Sequence, residues 1–465
     1  MSTELHDRKR WIALAVIVAA QFMVVLDVAI VNVALPSIKN DLHFTQESLQ
    51  WVITAYSILF GGVLLLGGRM ADLLGRRRLF MAGLALFTAS SLLNGLAWSE
   101  GSLIAFRALQ GLGGALLAPA ALSILTTMFR EGRERNLALG IWGAASGSGG
   151  AAGVLLGGVL TSSLSWSWIF FVNVPVGVVI LAVSPWLLRE SRAELDHRYF
   201  DTAGAASITS GLMLLVYAMT RATERGWGSA TTIALLGASA ALIVGFVVIE
   251  LRSKAPLLPM RIFRLRSLAG SNVSGLLLAS ALFSQFFLLT LYMQEVLHYS
   301  ALKTGVAYIA LTLTIIAFSA VAQGAQLPVH GHYFWDLFPA FLVGGIGLAL
   351  AFVPMQIGGL TGVQQSDAGV ASGLINTSQQ VGGAIGLAAA TTIATTFTNH
   401  YVNAHPGTTA LSGSALTHGF AITFYVLAGL AVLGAVLAAV LIEPKSPVTQ
   451  AELVEGDLAL DSMAA

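Results

Sequence analysis

Two charged residues stand inside apolar runs long enough to cross a bilayer. Asp27 lies in the run at about 11–36, and Arg107 in the run at about 102–128. A carboxylate at the centre of a membrane helix costs about 2.5–3.5 kcal/mol to insert, so it persists only beside water, a partner or a proton. Carboxyl groups removed from water hold their proton more tightly, and a nearby fixed positive charge opposes this. Asp27 is therefore a candidate for carrying a proton across a membrane or for pairing with a cationic solute. The bland alternative is permanent pairing with a neighbouring helix. Arg107 is the natural counter-charge: at 1.5 Å per residue the two lie about 13 and 9 Å below the outer surface, within reach if their helices adjoin. Otherwise Arg107 snorkels outward or caps carbonyls.

A second concentration of charge is the turn Gly68-Arg-Met-Ala-Asp72-Leu-Leu-Gly75-Arg76-Arg77-Arg78. Three arginines this close to a bilayer stay on the cytoplasmic side and fix the orientation of the first spans. The glycines allow a tight backbone, and Asp72 can face the positive end of a helix dipole. Arg76 to Arg78 could also be topology anchors alone. Gly149, Gly153 and Gly157 recur every four residues and make one smooth stripe suited to close helix packing in lipid. Wet, adaptable side chains for a solute path are Gln110, Gln285, Tyr292, Asn376 and Gln380, with Asn272 and Gln379 nearby. Amides on membrane helices more often join helices than touch ligand.

The elements that must position these groups follow from composition. The chain is 56% hydrophobic and only 10% charged, against about 25% charged in soluble proteins, so it belongs in a membrane. Its net charge of +1 argues against nucleic acid as a partner. With no cysteine there is no disulfide, thiolate catalysis or cysteine-ligated metal. No Walker sequence or nucleophile motif occurs, His330 and His332 make only a weak metal signal, and no cofactor is expected. The first apolar run is too long for a signal peptide and lacks a cleavage pattern.

Apolar stretches of near-spanning length fall at about 11–36, 48–70, 79–98, 102–128, 136–162, 168–188, 203–221, 229–250, 269–293, 305–322, 336–359, 369–397 and 419–442. Their length, without dyad alternation, selects helices over a barrel. Basic loops after alternate spans (Arg76 to Arg78; Arg130, Arg133, Arg135; Arg189, Arg192, Arg198; Arg252 to Arg266; Lys445) mark the cytoplasmic side. Counted forward from a cytoplasmic N-terminus, 323–335 falls inside. Counted back from Lys445, the same stretch falls outside, and it carries no Lys or Arg. One missing helix near Ala322 to Ala325 reconciles the counts; a thirteen-helix protein with an external C-terminus is the other solution.

With that repair the helices number fourteen, and the motifs fall into a family order. Gly68-x-x-x-Asp72-x-x-Gly75-Arg76-Arg77 resembles the loop between the second and third helices of the major facilitator superfamily. Leu26-Asp27-Val-Ala-Ile-Val-Asn32-Val-Ala-Leu-Pro36, Arg107-Ala-Leu-Gln110-Gly111-Leu-Gly113-Gly114 and Phe171-Val-Asn173-Val-Pro175-Val-Gly177 resemble signatures of its fourteen-helix drug:proton antiporter branch, the EmrB/QacA type. Two departures stand out: Val154 follows Gly153 where the family usually has proline, and the second-half copy of the basic turn is absent. The resemblance implies an all-α polytopic membrane protein of two six-helix halves plus two extra central helices. It divides the chain into a cytoplasmic N-terminus at 1–10, a six-helix half at 11–188, an inserted helix pair with cytoplasmic linkers at 189–266, a second half at 267–443 and a cytoplasmic tail at 444–465. It also implies a proton or substrate role for Asp27, a cytoplasmic latch in which Asp72 meets a helix of the other half and Arg76 an acidic neighbour, and an outer-side contact between halves at the glycine stripe. The expected activity is proton-driven export of a small amphipathic drug, antibiotic or toxic compound by a monomeric, multi-pass protein of the cell membrane that is not an enzyme. An endogenous metabolite as cargo, or a non-transporting membrane sensor, are the alternatives.

Overall fold

A computed structural model describes residues 2–44, 46–49, 51–129, 131–192, 201–253, 256–297, 299–300, 303, 306–307, 355–364, 367–410 and 412–442. Most of the expected spans at 305–322 and 336–359, the junction near Ala322 to Ala325 and the tail at 444–465 lie outside these residues.

All the regular structure described is helical. The elements are α1 (Ser2–Asp41), the short α2 (Gln46–Leu49), α3 (Trp51–Leu74), α4 (Arg76–Gly95), α5 (Glu100–Met128), α6 (Arg133–Ser163), the short α7 (Trp168–Phe171), α8 (Asn173–Leu187), α9 (Thr202–Arg225), α10 (Ala230–Arg252), α11 (Arg266–Leu291), α12 (Ala368–Ala404) and α13 (Gly413–Leu441). Among the described residues, ten helices are long and apolar enough to cross a membrane. The expected third span, α4, is not one of them. Arginines occupy its first turn and Ser90, Ser91 and Asn94 its second half, and those three polar residues are buried inside the bundle.

Polar side chains at the loop–helix junctions satisfy the backbone donors that each helix start leaves free. The Ser99 hydroxyl accepts from Ser102 N, and the Ser102 hydroxyl accepts from Ser99 N, a reciprocal box opening α5. Asp201 caps α9 through Gly204 N at 2.7 Å, and Ser229 caps α10 through Thr232 N. Between α3 and α4 the chain reverses at Gly75, whose φ of 112° suits glycine alone.

The first helices pack as pairs: α1 along α6, α4 along α5, and α3 along α5, with α8 against α1 and α4. In the second part α11 lies between α12 and α13. These two groups meet where α12 packs on α3 and α5. The hairpin α9–α10 is no loose appendage, because α9 packs against both α3 and α12. Trp227 Nε1, in its connecting loop, donates to Thr392 Oγ1 of α12 at 2.7 Å.

The glycine stripe of α6 seats it on α1. A Cβ on Gly149, Gly153 or Gly157 would lie 3.1, 2.7 or 2.9 Å from the carbonyl oxygens of Phe22, Leu26 and Ile30, so two rows with the same four-residue repeat interlock. The expected partner was a helix of the second half; the stripe faces α1 instead. Val154, about 100° round the helix, belongs instead to an apolar cluster that also holds Val33 of α1 and Leu289, Tyr292 and Met293 of the second part. Gly153→Val should therefore lower the thermal unfolding temperature of the purified protein through overpacking of about 1–3 kcal/mol. Gly150→Ala, beside which a Cβ meets nothing within 4 Å, should leave it unchanged or raise it slightly.

Candidate functional site

Five helices converge on Asp27, which is 0% exposed. Its Oδ2 accepts from Arg107 Nη1 at 2.7 Å, and its Oδ1 accepts from Gln110 Nε2 at 2.8 Å and Asn173 Nδ2 at 2.9 Å. α5 supplies Arg107 and Gln110 on one face, three residues apart, and α8 supplies Asn173 in its first turn. Arg107 has further partners: Nη1 reaches Gln110 Oε1 at 2.7 Å, Nε donates to the Val52 carbonyl at 3.0 Å, and the guanidinium lies 4.4 Å from the Tyr56 ring centroid. Ser91 and Asn94 of α4 close the network on Gln110.

Every oxygen of the carboxylate has a donor, and the pair is electrically neutral as it stands. Removing one partner of a buried pair destabilises by about 3–5 kcal/mol, because the other charge is left uncompensated.

Asn173, Ser91, Asn94 and Tyr56 went unrecognised as parts of this site in the sequence. The available signal was amide and hydroxyl groups set at intervals inside apolar runs. Gln110, expected in a solute cavity, belongs to the Asp27 network, and its amide is used on both sides. Tyr292 does not lie open to a path either: it is fully buried at the start of a π-helical turn, Tyr292–Val296, among Leu289 and Met293. Asn376 turns its amide back to the Ser372 carbonyl of its own helix at 2.9 Å. Asn272 joins helices, accepting from Ser378 Oγ at 2.6 Å. Gln285 and Gln380 are half-buried with no side-chain hydrogen bond among the described residues, and so keep the free amide groups a solute path needs.

At the cytoplasmic ends, Asp72 is fully buried and bridges α3 to the start of α12. Its Oδ1 accepts from Gly369 N and its Oδ2 from Val370 N, each at 3.1 Å, so the carboxylate sits on the positive end of the α12 dipole. Arg76 donates to the same carboxylate at 2.8 Å; its acidic neighbour is Asp72 itself. Gly68 makes the approach possible, since a Cβ there would overlap the Gly369 carbonyl and lie 3.1 Å from Gly373 Cα. Arg77, grouped with this closure in the sequence, serves a different end: it reaches the Pro185 and Leu188 carbonyls and Glu190 at the end of α8. Two further ties cross the same boundary: Glu131 Oε1 accepts from Gly362 N at 3.0 Å, and Arg135 Nη2 donates to the Leu360 carbonyl at 3.0 Å. Arg261 Nη2, just before α11, meets Asp367 Oδ2 at the start of α12 at 3.1 Å. In the sequence Arg135 and Arg261 read only as markers of cytoplasmic loops.

Residues 17–387 match the family profile described as Major Facilitator Superfamily. The chain belongs to that superfamily. Major facilitator relatives with curated names include puromycin resistance protein pur8 of Streptomyces alboniger, 39% identical over 468 residues, covering 95% of this chain and 93% of that protein. The cephamycin export protein CmcT of Amycolatopsis lactamdurans is 41% identical over 410 residues, covering 82% of this chain and 84% of the relative. Among solved structures, the human organic anion transporter MFSD10 superposes with a TM-score of 0.60 at 17% identity over 92% of this chain and 99% of that one, a likeness of fold. The pur8 alignment runs over 468 residues but takes in 95% of the 465 here, about 442, so about 26 aligned positions have no residue of this chain. As a major facilitator protein with several spanning helices, the chain is a multi-pass protein of the cell membrane.

Proposed function

We propose that this major facilitator protein is a proton-coupled exporter of amphipathic drugs or antibiotics, working as a monomer by alternating access. Support for the cargo class comes from relatives named for resistance to puromycin and lincomycin and for export of cephamycin and tetracenomycin C. The single observation that carries the coupling is the mid-span Asp27–Arg107 pair, buried and joining α1 to α5.

In this reading the ties from Asp72, Glu131 and Arg135 to the 360–370 region hold the cytoplasmic side closed. Release of cargo outward, and a proton reaching Asp27 from that side, part the acid from Arg107. The shift of α1 and α5 then loosens the crossing of α3 and α5 on α12 and opens the cytoplasmic side. Loss of the proton inward restores the pair. Gln285 and Gln380 contribute to the cargo path, and the residues act as a carrier's contacts, with no bond made or broken in the cargo. The halves at 11–188 and 267–443 rock against each other, with α9–α10 riding at their junction.

Everted membrane vesicles give the test. With an imposed proton gradient, acid inside, vesicles holding the protein should accumulate an amphipathic cationic dye or puromycin, and an uncoupler should abolish the accumulation. Accumulation that survives the uncoupler would remove proton coupling. An absence of accumulation for any amphipathic compound, with protein present in the membrane, would remove export.

A further inference from the structure

α1 and α8 pack together and leave an apolar groove of about 490 Å³ on the outer surface of the bundle. Ile12, Val16 and Ala19 line one wall and Val176, Val179 and Val183 the other. The span from Ile12 to Ala19 is about 10 Å at 1.5 Å per residue, which fits within one leaflet of a hydrocarbon core about 30 Å thick. The chain flanking its cytoplasmic end is basic. Lys9 precedes Ile12 by one helical turn, and Arg189 and Arg192 follow directly on the end of α8. All three are exposed and carry no ion pair among the described residues. The acid that stands among them, Glu190, is already taken by Arg77 and Arg78.

We infer that this groove is a binding site for an anionic phospholipid of the cytoplasmic leaflet, its acyl chain between α1 and α8 and its phosphate at Lys9, Arg189 and Arg192. The charge pattern selects the occupant. An apolar slot alone would accept any lipid tail, but a slot that ends in unpaired cations at the membrane surface favours a headgroup of net negative charge. The groove is on the scale of a small-ligand site, and its walls offer no polar group to hold anything but hydrocarbon. A lipid there would fill the seam beside α1, the helix that carries Asp27.

The test is thermal unfolding of the delipidated full chain in detergent, with phosphatidylglycerol or phosphatidylcholine of the same acyl chains added. A ligand that binds only the folded protein raises the unfolding temperature, here by about 2–4 °C for phosphatidylglycerol with little change for phosphatidylcholine. Two variants separate the contributions. Lys9→Gln/Arg189→Gln/Arg192→Gln removes the headgroup contacts, and Val179→Trp, at a side chain exposed to lipid, fills the slot. Both should abolish the difference between the two lipids. Equal shifts from both lipids would overturn the site, as would a phosphatidylglycerol shift surviving the triple substitution. A shift that survives Val179→Trp would assign the effect to surface charge alone and equally overturn it. A shift produced instead by an uncharged amphipathic dye, and lost in Val179→Trp, would give the groove to cargo and refute lipid as its occupant.

Discussion

Asp27→Asn is expected to abolish gradient-driven export, a loss of at least about 100-fold if the coupling step depends on one titrating group. The substitution preserves shape but turns one acceptor into a donor. Asparagine Oδ1 can still receive Gln110 and Asn173, yet its Nδ2 would face Arg107 Nη1, donor against donor. Arg107 would also stand 1% exposed without a counter-charge. Leaving such a charge unpaired destabilises by about 3–5 kcal/mol, so loss of function in the single variant could reflect loss of fold. The double variant Asp27→Asn/Arg107→Gln removes both charges. It should recover most of the unfolding temperature, because a neutral amide pair can satisfy the same positions, while export stays absent. If the pair were merely a structural clasp, the double variant would regain export along with stability.

Gly68→Ala is expected to produce the second largest effect, through geometry rather than charge. Backbone touches backbone where α3 crosses α12, and a single methyl would overlap the Gly369 carbonyl, which cannot rotate away as a side chain could. Separating the helices also breaks the bonds from Gly369 N and Val370 N to Asp72, charge-assisted contacts worth about 1.5–3 kcal/mol each. The population should move towards a cytoplasm-open state, and export should fall by ten-fold or more. The natural chain has no cysteine, so single introduced cysteines report the change cleanly. One at Ser372, buried on α12, should become reactive to a membrane-impermeant thiol reagent added from the cytoplasmic side in the Gly68→Ala protein and stay protected otherwise. Unchanged protection would show that the crossing tolerates the methyl group and that this closure does not hold the state described.

Both sites show what a sequence can and cannot disclose. Asp27 and Arg107 are visible because a charge within an apolar run is expensive, and depth arithmetic alone brings them to one level. Asp72 is visible for a similar reason, its position beside glycines at the end of a span. Asn173, Ser91 and Asn94 are not, since one amide or hydroxyl in a membrane helix costs little and serves packing as readily as a network. Gln110 misleads because spacing on α5 gives its face but not the neighbour that face meets. For the glycine stripe the same limit applies: period four predicts close packing, and only the three-dimensional arrangement selects α1. The ties at Gly362 and Leu360 join residues more than 200 positions apart through backbone groups, which leave no mark on residue type.

The central claim is that Asp27 exchanges a proton each time cargo crosses. Its most direct measurement is proton flux in proteoliposomes enclosing a pH-sensitive dye, with an outwardly or inwardly directed gradient of cargo as the only driving force. Wild-type protein should move protons opposite to the cargo, and Asp27→Asn/Arg107→Gln, folded and reconstituted equally, should move none. Cargo-driven proton flux undiminished in the double variant would contradict the account.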